Sequence, residues 1–168
     1  MPRGGPPVLI FVSILPDWTI RSAVKEDFAP VLALWVTAGG PATVTDTLEG
    51  LSRLSGADRG ALLVAEWDGI VVGSLIAAWD GWRGSFYRLA VHPDRRRQGL
   101  ATALVREGER RLQGCGAIRL TAIVADDEPT AGAFWRAAGY QRQQHRVRFV
   151  RLVDPSPQRR SCSSPSDV

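Results

Sequence analysis

Cysteine is nearly absent from this chain of 168 residues, which carries only Cys115 and Cys162. Two cysteines build no disulfide framework, so a reducing, cytoplasmic setting is the expectation. Histidine is equally scarce: His92 and His145 stand apart, without clustered cysteines, and leave no ligand set for a metal. Lysine occurs once, at Lys25. No glycine loop ends in Gly-Lys-Ser/Thr, and no Gly-x-Gly-x-x-Gly is present, so both common nucleotide loops are excluded. No apolar run approaches the ~20 residues of a membrane span. Val8–Leu15 is apolar but short. It has one upstream charge, Arg3, and no small-residue cleavage site before Pro16-Asp17, so it reads as an extension and not as a secretory signal.

What the chain does have is a hydrophobic content of 45% and a net charge of +4, with a pI near 9.8. That composition suits one domain with a real core. The basic residues are nearly all arginines, spread through a loop, a helix face (Arg106, Arg110, Arg111) and a final apolar segment (Arg142, Arg146, Arg148, Arg151). No basic stripe is interleaved with aromatics, so nucleic acid is not the expected partner. Three regions are expected: an extension over 1–16, a domain over 17–153, and a Ser-, Pro- and Arg-rich disordered tail over 154–168.

Periodicity and turn signals divide the domain. Trp18–Arg21 reads as a strand. Asp27 opens a helix that Gly39-Gly40-Pro41 ends, and a weaker helix runs from Asp46 to Leu54. The stretches 61–67 and 70–76 flank Asp68-Gly69, a hairpin signal. Asp80-Gly81-Trp82-Arg83-Gly84 is a turn leading into a strand over 85–91. A helix follows from about 100 to 113, then strands at 118–124 and 147–153 with a helix at 130–138 between them. The spacing of 85–91, helix and 118–124 predicts a right-handed parallel crossover. The sum is a single-domain mixed α/β sheet of about six or seven strands, antiparallel at its start.

The most informative stretch is Arg96-Arg97-Gln98-Gly99-Leu100-Ala101. It lies between a strand and a helix, behind a His92-Pro93-Asp94 turn. A loop of this kind points several main-chain N–H groups at one spot, at the positive end of a helix dipole. Gly99 lets a ligand approach without a Cβ in the way. Three consecutive arginines, Arg95 to Arg97, want counter-charge. Together these features ask for a phosphate or pyrophosphate.

The loop pattern, Arg/Gln-x-x-Gly-x-Gly/Ala, resembles the acetyl-coenzyme A loop of the GCN5-related N-acetyltransferases. Leu89-Ala90-Val91-His92-Pro93-Asp94-Arg95 resembles the strand and turn that enter it. Ala133-Phe134-Trp135-Arg136-Ala137-Ala138-Gly139-Tyr140 resembles the family's second signature, about forty residues on. The resemblance covers roughly residues 17 to 153. It implies that adjacent parallel strands splay beside the loop and that Leu89, Ala90 and Val91 bond pantetheine there. The amide of Ala90 or Val91 would face the acetyl carbonyl. The main chain of Arg97 to Thr102, through Gln98, Gly99, Leu100 and Ala101, would hold the pyrophosphate, with Arg96 beside it.

The second signature usually carries a tyrosine acid, but Trp135 stands there and has no O–H to give. Glu128, with Asp127 beside it, replaces a usual asparagine, and Ser85 occupies a common position for a glutamate base. Amine acylation still needs a neutral amine, whose ordinary pKa is near 10, and so a route for its proton. Tyr87 is one candidate, since alternation places it on the same strand face as Leu89, although core packing explains it equally. Asp80 is the other, as a carboxylate at the strand entrance, although an Asx turn explains it equally. His92 reads as a structural turn residue and Glu66 as an edge charge. Trp35, Trp79 and Trp82 are either core or acceptor-pocket wall. The resemblance implies transfer of acetyl from acetyl-CoA to a primary amine, of a small molecule or a protein N-terminus, by direct attack and without a metal. The alternative is a catalytically weak CoA-binding sensor. A homodimer could form through the apolar N-terminal segment.

Overall fold

The computed structural model describes residues 17–124 and 129–153. Its elements run as β1 (Trp18–Ser22), a 3-10 turn (Lys25–Asp27), α1 (Phe28–Thr37), α2 (Leu48–Ala57), β2 (Leu62–Trp67), β3 (Ile70–Trp79), β4 (Gly84–Val91), a second 3-10 turn (Pro93–Arg95), α3 (Leu100–Gly114), β5 (Leu120–Ala122) and α4 (Pro129–Ala137). The strands form one sheet in the order β1-β2-β3-β4-β5. β1 to β4 are antiparallel neighbours, while β4 and β5 are parallel and joined through α3. The expected mixed sheet with one parallel crossover is therefore present. The strands number five among the described residues, fewer than expected.

Local chemistry explains most boundaries. Asp68 and Gly69 both adopt positive φ, +48° and +77°, the geometry that lets a two-residue turn follow the twist of β2 and β3. The Thr47 hydroxyl accepts from the Gly50 N–H at 3.0 Å and starts α2. The Arg21 guanidinium joins the buried Asp27 carboxylate at 2.6 Å to Glu66 of β2, also at 2.6 Å, and so anchors β1 to the start of α1. That pairing, with an N–H from Val24, holds the Asp27 carboxyl below its ordinary range. Glu66 is thus a partner of Arg21.

Two apolar layers cover the sheet. α3 and α4 press Leu100, Leu104, Val105, Leu112 and Trp135 onto Leu63, Ala65, Leu75, Phe86 and Val91. α1 and α2 press Phe28, Val31, Trp35 and Leu51 onto Leu62 and Val64. Neighbouring β2 residues thus serve opposite layers, as a strand buried on both faces requires.

The expected strand over 147–153 is not formed. Val147, Phe149, Val150, Leu152 and Val153 are all exposed. Phe149 and Val150 break the alternation, and β5, three residues long, offers little edge to pair with. The strand expected over 118–124 shortens to Leu120–Ala122, and Ile118 is wholly exposed. The N-terminal segment and the tail lie outside the described residues.

Gly108 allows α3 to lie close on the sheet. A Cβ there would sit 2.7 Å from Phe86 Cε1 and 3.0 Å from Leu75 Cδ2, both buried. Alanine favours a helix over glycine by ~1 kcal/mol, yet Gly108→Ala should lower stability by about 1–3 kcal/mol through overpacking. Urea unfolding measures this, and a stabilised variant would contradict the close approach.

Candidate functional site

β4 is regular up to Phe86 and irregular after it. The β3–β4 register runs Ile76↔Tyr87 and then Ser74↔Ala90, so Leu75 faces both Arg88 and Leu89. This is a β-bulge, and Arg88 occupies it with a left-handed φ of +52°. The bulge resets the alternation. Phe86, Leu89 and Val91 all belong to the layer under α3, while Ala90 packs in the layer under α1. Tyr87, directly opposite Ile76 and adjacent to Phe86, therefore lies on the α1 side. The expectation that Tyr87 shares a face with Leu89 is corrected, because the extra residue at Arg88 inverts one of them.

Two locks hold the bulge. The Trp35 indole N–H donates to the fully buried Ser74 hydroxyl at 2.8 Å, and Ser74 Oγ lies 3.4 Å from the Arg88 carbonyl. The Arg88 side chain turns to the segment between α1 and α2. Its guanidinium pairs with the Asp46 carboxylate, donates to the Pro41 carbonyl at 3.0 and 3.1 Å and to Thr43 Oγ1 at 3.3 Å, and lies 5.0 Å from the centre of the Trp35 ring. Burial lowers the Arg88 pKa from its usual high value. Trp35 is thus a core residue with a hydrogen bond to give. Nothing in the sequence pattern flags Arg88 or Ser74, whose contacts with each other, with Trp35 and with residues 41–46 lie 14 to 47 residues away, and Asp46 is legible only as a helix start.

Already before the bulge, after Phe86, β4 loses its second neighbour among the described residues. Pairing with β5 covers Gly84↔Leu120, Ser85↔Thr121 and Phe86↔Ala122, and then stops. The Ser85 and Thr121 hydroxyls meet at 3.1 Å and pin the last joined rungs. Among the described residues, Tyr87 to Val91 therefore have no strand paired with them on the β5 side, and this gap is the cleft of the candidate site. The direction of the main chain there follows from the ladder. The His92 N–H bonds the Val72 carbonyl on β3 at 2.8 Å, and Ala90 pairs with Ser74. N–H groups alternate sides along a strand, so those of Leu89 and Val91 point into the cleft while that of Ala90 points to β3. Of the two amides expected to face a ligand, that of Val91 opens on the cleft and that of Ala90 is directed to β3, while the Leu89 N–H also opens on the cleft.

The loop continues from this cleft. The His92 ring accepts from the Asp94 N–H at 3.4 Å and caps the 3-10 turn, the structural role expected of it. Arg97 at φ +63° and Gly99 at φ +82° flank Gln98, and alternating hands of this kind turn successive N–H groups toward one concavity. Gly99 is the N-cap of α3 and provides no side-chain cap, so the first-turn N–H groups of Leu100, Ala101 and Thr102 lack a side-chain partner. A Cβ on Gly99 would meet nothing within 4 Å, so the approach is open. The arginines divide their work. Arg95 stacks on Trp67 at 3.9 Å, and Arg96 donates to the carbonyls of Val91 at 3.2 Å and Ala38 at 2.9 Å. Both are committed to the scaffold, while Arg97 is exposed at the loop tip. Gln98 reaches back to the Asp94 carbonyl at 3.3 Å. Cleft and concavity suit an extended ligand with amides at one end and phosphates at the other.

The remaining candidates are scattered. Trp135 is buried, stacked on Phe86 at 5.8 Å and edge-on to Tyr140 at 4.8 Å. The Tyr140 hydroxyl donates to Glu109 at 2.8 Å, and burial, reinforced by that carboxylate, raises its pKa well above the usual phenol value. Asp80 is exposed, and its carboxylate accepts from the Trp82 N–H at 2.8 Å and the Arg83 N–H at 2.5 Å. Those bonds, chiefly the one from Arg83, lower its pKa. Trp82 is exposed under the Arg83 guanidinium, while Trp79 packs against the α3 layer. Glu128 and Asp127 lie outside the described residues. Among the described residues no group of three potential ligands could hold a metal ion, and no helix is long and apolar enough to cross a membrane.

Comparison with known proteins agrees with this fold. The model of the Acetyltransferase (GNAT) family matches residues 25–140. An acetyltransferase of Yersinia pestis (strain Pestoides F) is 33% identical over 134 residues, spanning 80% of this chain and 95% of that protein. An acetyltransferase of Yersinia enterocolitica is 33% identical over the same span. Among solved structures, the aminoglycoside 6'-N-acetyltransferase AAC(6')-IG of Acinetobacter haemolyticus superposes with a TM-score of 0.66 at 22% identity, covering 81% of this chain and 99% of that one. AAC(6')-Iy, in complex with a bisubstrate analogue of CoA, gives 0.64 at 19% identity, covering 82% and 99%. At such identities the likeness is one of fold.

Replacing Gly99 with tryptophan tests the loop. The protein side offers room, so the variant should fold, with the left-handed strain costing ~1–3 kcal/mol, and should lose detectable acetyl-CoA binding by calorimetry. Parental affinity in the folded variant would show that the loop is not the binding site.

Proposed function

Since the chain belongs to the acetyltransferase (GNAT) family and is an acetyl-CoA-dependent acyltransferase, we propose that residues 17–153 transfer acetyl from acetyl-CoA to a primary amine, of a small molecule or a protein N-terminus, by direct attack. The observation that carries this reading is the cleft between β4 and β5 running into the N–H concavity at the start of α3. Acetyl-CoA, as substrate, supplies the thioester carbonyl. The outward N–H groups of Leu89 and Val91 would bond the pantetheine amide and meet the charge that develops on the thioester oxygen. The main chain of Arg97 to Thr102, with the Arg97 side chain, would hold the pyrophosphate. The composition supports the cytoplasm as the place of the reaction.

The amine must reach the carbonyl neutral. Tyr87, on the α1 side beside the bulge and 38% exposed, is the candidate for handling the proton, through water. Asp80, with its pKa lowered by two N–H donors, is a weak base at neutral pH. Its standing negative charge suits attraction of a protonated amine before deprotonation. Trp135 serves packing in this scheme. The thiolate leaves without a positioned acid, which its ordinary pKa of about 8.5 permits at some cost in rate.

A panel of amine acceptors with a free-thiol readout identifies the substrate, and release of CoA with none of them would favour the sensor alternative. With an acceptor in hand, Tyr87→Phe should lower kcat by ~100-fold and shift the pH–rate midpoint. Asp80→Asn should raise the KM for the amine with kcat nearly unchanged. Trp135→Phe should keep most of the turnover. PH–rate curves of Tyr87→Phe and Asp80→Asn that overlay the parent would remove both residues from the proton's route.

A further inference from the structure

We propose that Arg88 is a positioning residue, whose side chain tethers the β4 bulge to the segment between α1 and α2 and thereby aims the Leu89 N–H at the thioester carbonyl. This rests on the reading of the cleft as the acetyl-CoA site. The residue type carries the argument. A left-handed φ of +52° is what glycine adopts freely and arginine does not. If the bulge needed only its backbone shape, glycine would serve better. Arginine instead brings a fork of donors, and among the described residues the hydrogen bonds of that fork go to one segment: the Pro41 carbonyl, Thr43 Oγ1 and both oxygens of Asp46. The pair is shielded, with the Arg88 side chain 18% and that of Asp46 12% exposed. Asp46 is itself fixed, since it also accepts from the Thr43 N–H at 2.7 Å.

The tether acts on the next peptide. Arg88 is followed directly by Leu89, whose N–H opens on the cleft. With the Arg88 carbonyl held by Ser74 on one side and its guanidinium by Asp46 on the other, rotation about that peptide is restrained. A donor that stabilises a developing oxyanion must already be in place when charge appears. The Arg88 side chain turns away from the cleft to residues 41–46 and meets no reactant, so it works through the Leu89 amide.

The test uses acetyl-CoA labelled with carbon-13 at the thioester carbonyl, bound to the full chain, with the carbonyl chemical shift as readout and calorimetry for affinity. The variants are Arg88→Ala, Arg88→Gly and Asp46→Asn. Glycine relieves the backbone strain, so Arg88→Gly stays folded if alanine does not. In the parent the bound carbonyl should lie downfield of free acetyl-CoA. In Arg88→Gly at least half of that displacement should disappear, and in Asp46→Asn a smaller part, with the Kd for acetyl-CoA within about threefold because the loop contacts are untouched. A folded Arg88→Gly that keeps the parental carbonyl shift overturns the proposal, and so does one in which affinity drops tenfold or more, which would make Arg88 a binding residue. Failure of the parent to bind acetyl-CoA at all would overturn the reading of the cleft itself, a separate outcome from either.

Discussion

The left-handed conformation of Arg88 in the middle of β4 is the constraint on which the site depends. A non-glycine residue held there costs about 1–3 kcal/mol. It persists because the surroundings over-determine it: Trp35 bonds Ser74, Ser74 faces the Arg88 carbonyl, and the guanidinium is bound to Asp46, Thr43 and Pro41. Two consequences follow from one extra residue. Leu89 rejoins the layer of Phe86, so α3 finds a continuous apolar floor. Tyr87 is left on the opposite face, beside the Arg88 tether. The pairing of β4 with β5 ends at Phe86, before the bulge, so among the described residues the N–H groups of Leu89 and Val91 have no strand partner on that side.

The sheet's two faces then divide structure from chemistry. Under α3 and α4 lies an aromatic cluster of Phe86, Phe134, Trp135 and Tyr140, closed by the Tyr140–Glu109 hydrogen bond. It offers no free acid, since the tyrosine is both engaged and hard to ionise. The α1 side holds the polar groups near the bulge: Tyr87, Arg88 and Asp46. Departures from the family pattern at positions 85 and 135 fit this division. Ser85 helps zip β4 to β5, and Trp135 fills the core.

Much of this was legible in the sequence for physical reasons. Asp68-Gly69 can hardly be anything but a hairpin turn, and Gly99 after an apolar run marks a strand–loop–helix junction whatever the family. Three consecutive arginines in the loop ask for counter-charge, yet the structure commits Arg95 to Trp67 and Arg96 to the carbonyls of Val91 and Ala38. Such choices depend on partners distant in sequence. The bulge was illegible for the same reason. No residue type marks it, because arginine is a poor left-handed residue that only its contacts with residues 41–46 stabilise, and alternation rules applied across it gave the wrong face for Tyr87 and the wrong amide at Ala90. The last strand failed differently: its apolar residues promised a strand, but pairing needs an edge and β5 ends after three residues.

On the proposed reading, the bulge leaves the N–H groups of Leu89 and Val91 open for acetyl-CoA while that of Ala90 is spent in the sheet. Residue-resolved amide hydrogen exchange measures this directly. Without ligand, Ala90 and His92 should exchange slowly and Leu89 and Val91 fast. With saturating acetyl-CoA, Leu89 and Val91 should slow by at least tenfold while Ala90 changes little. Equal protection of all three residues before ligand is added, or no change at Leu89 and Val91 once it is bound, would contradict the account.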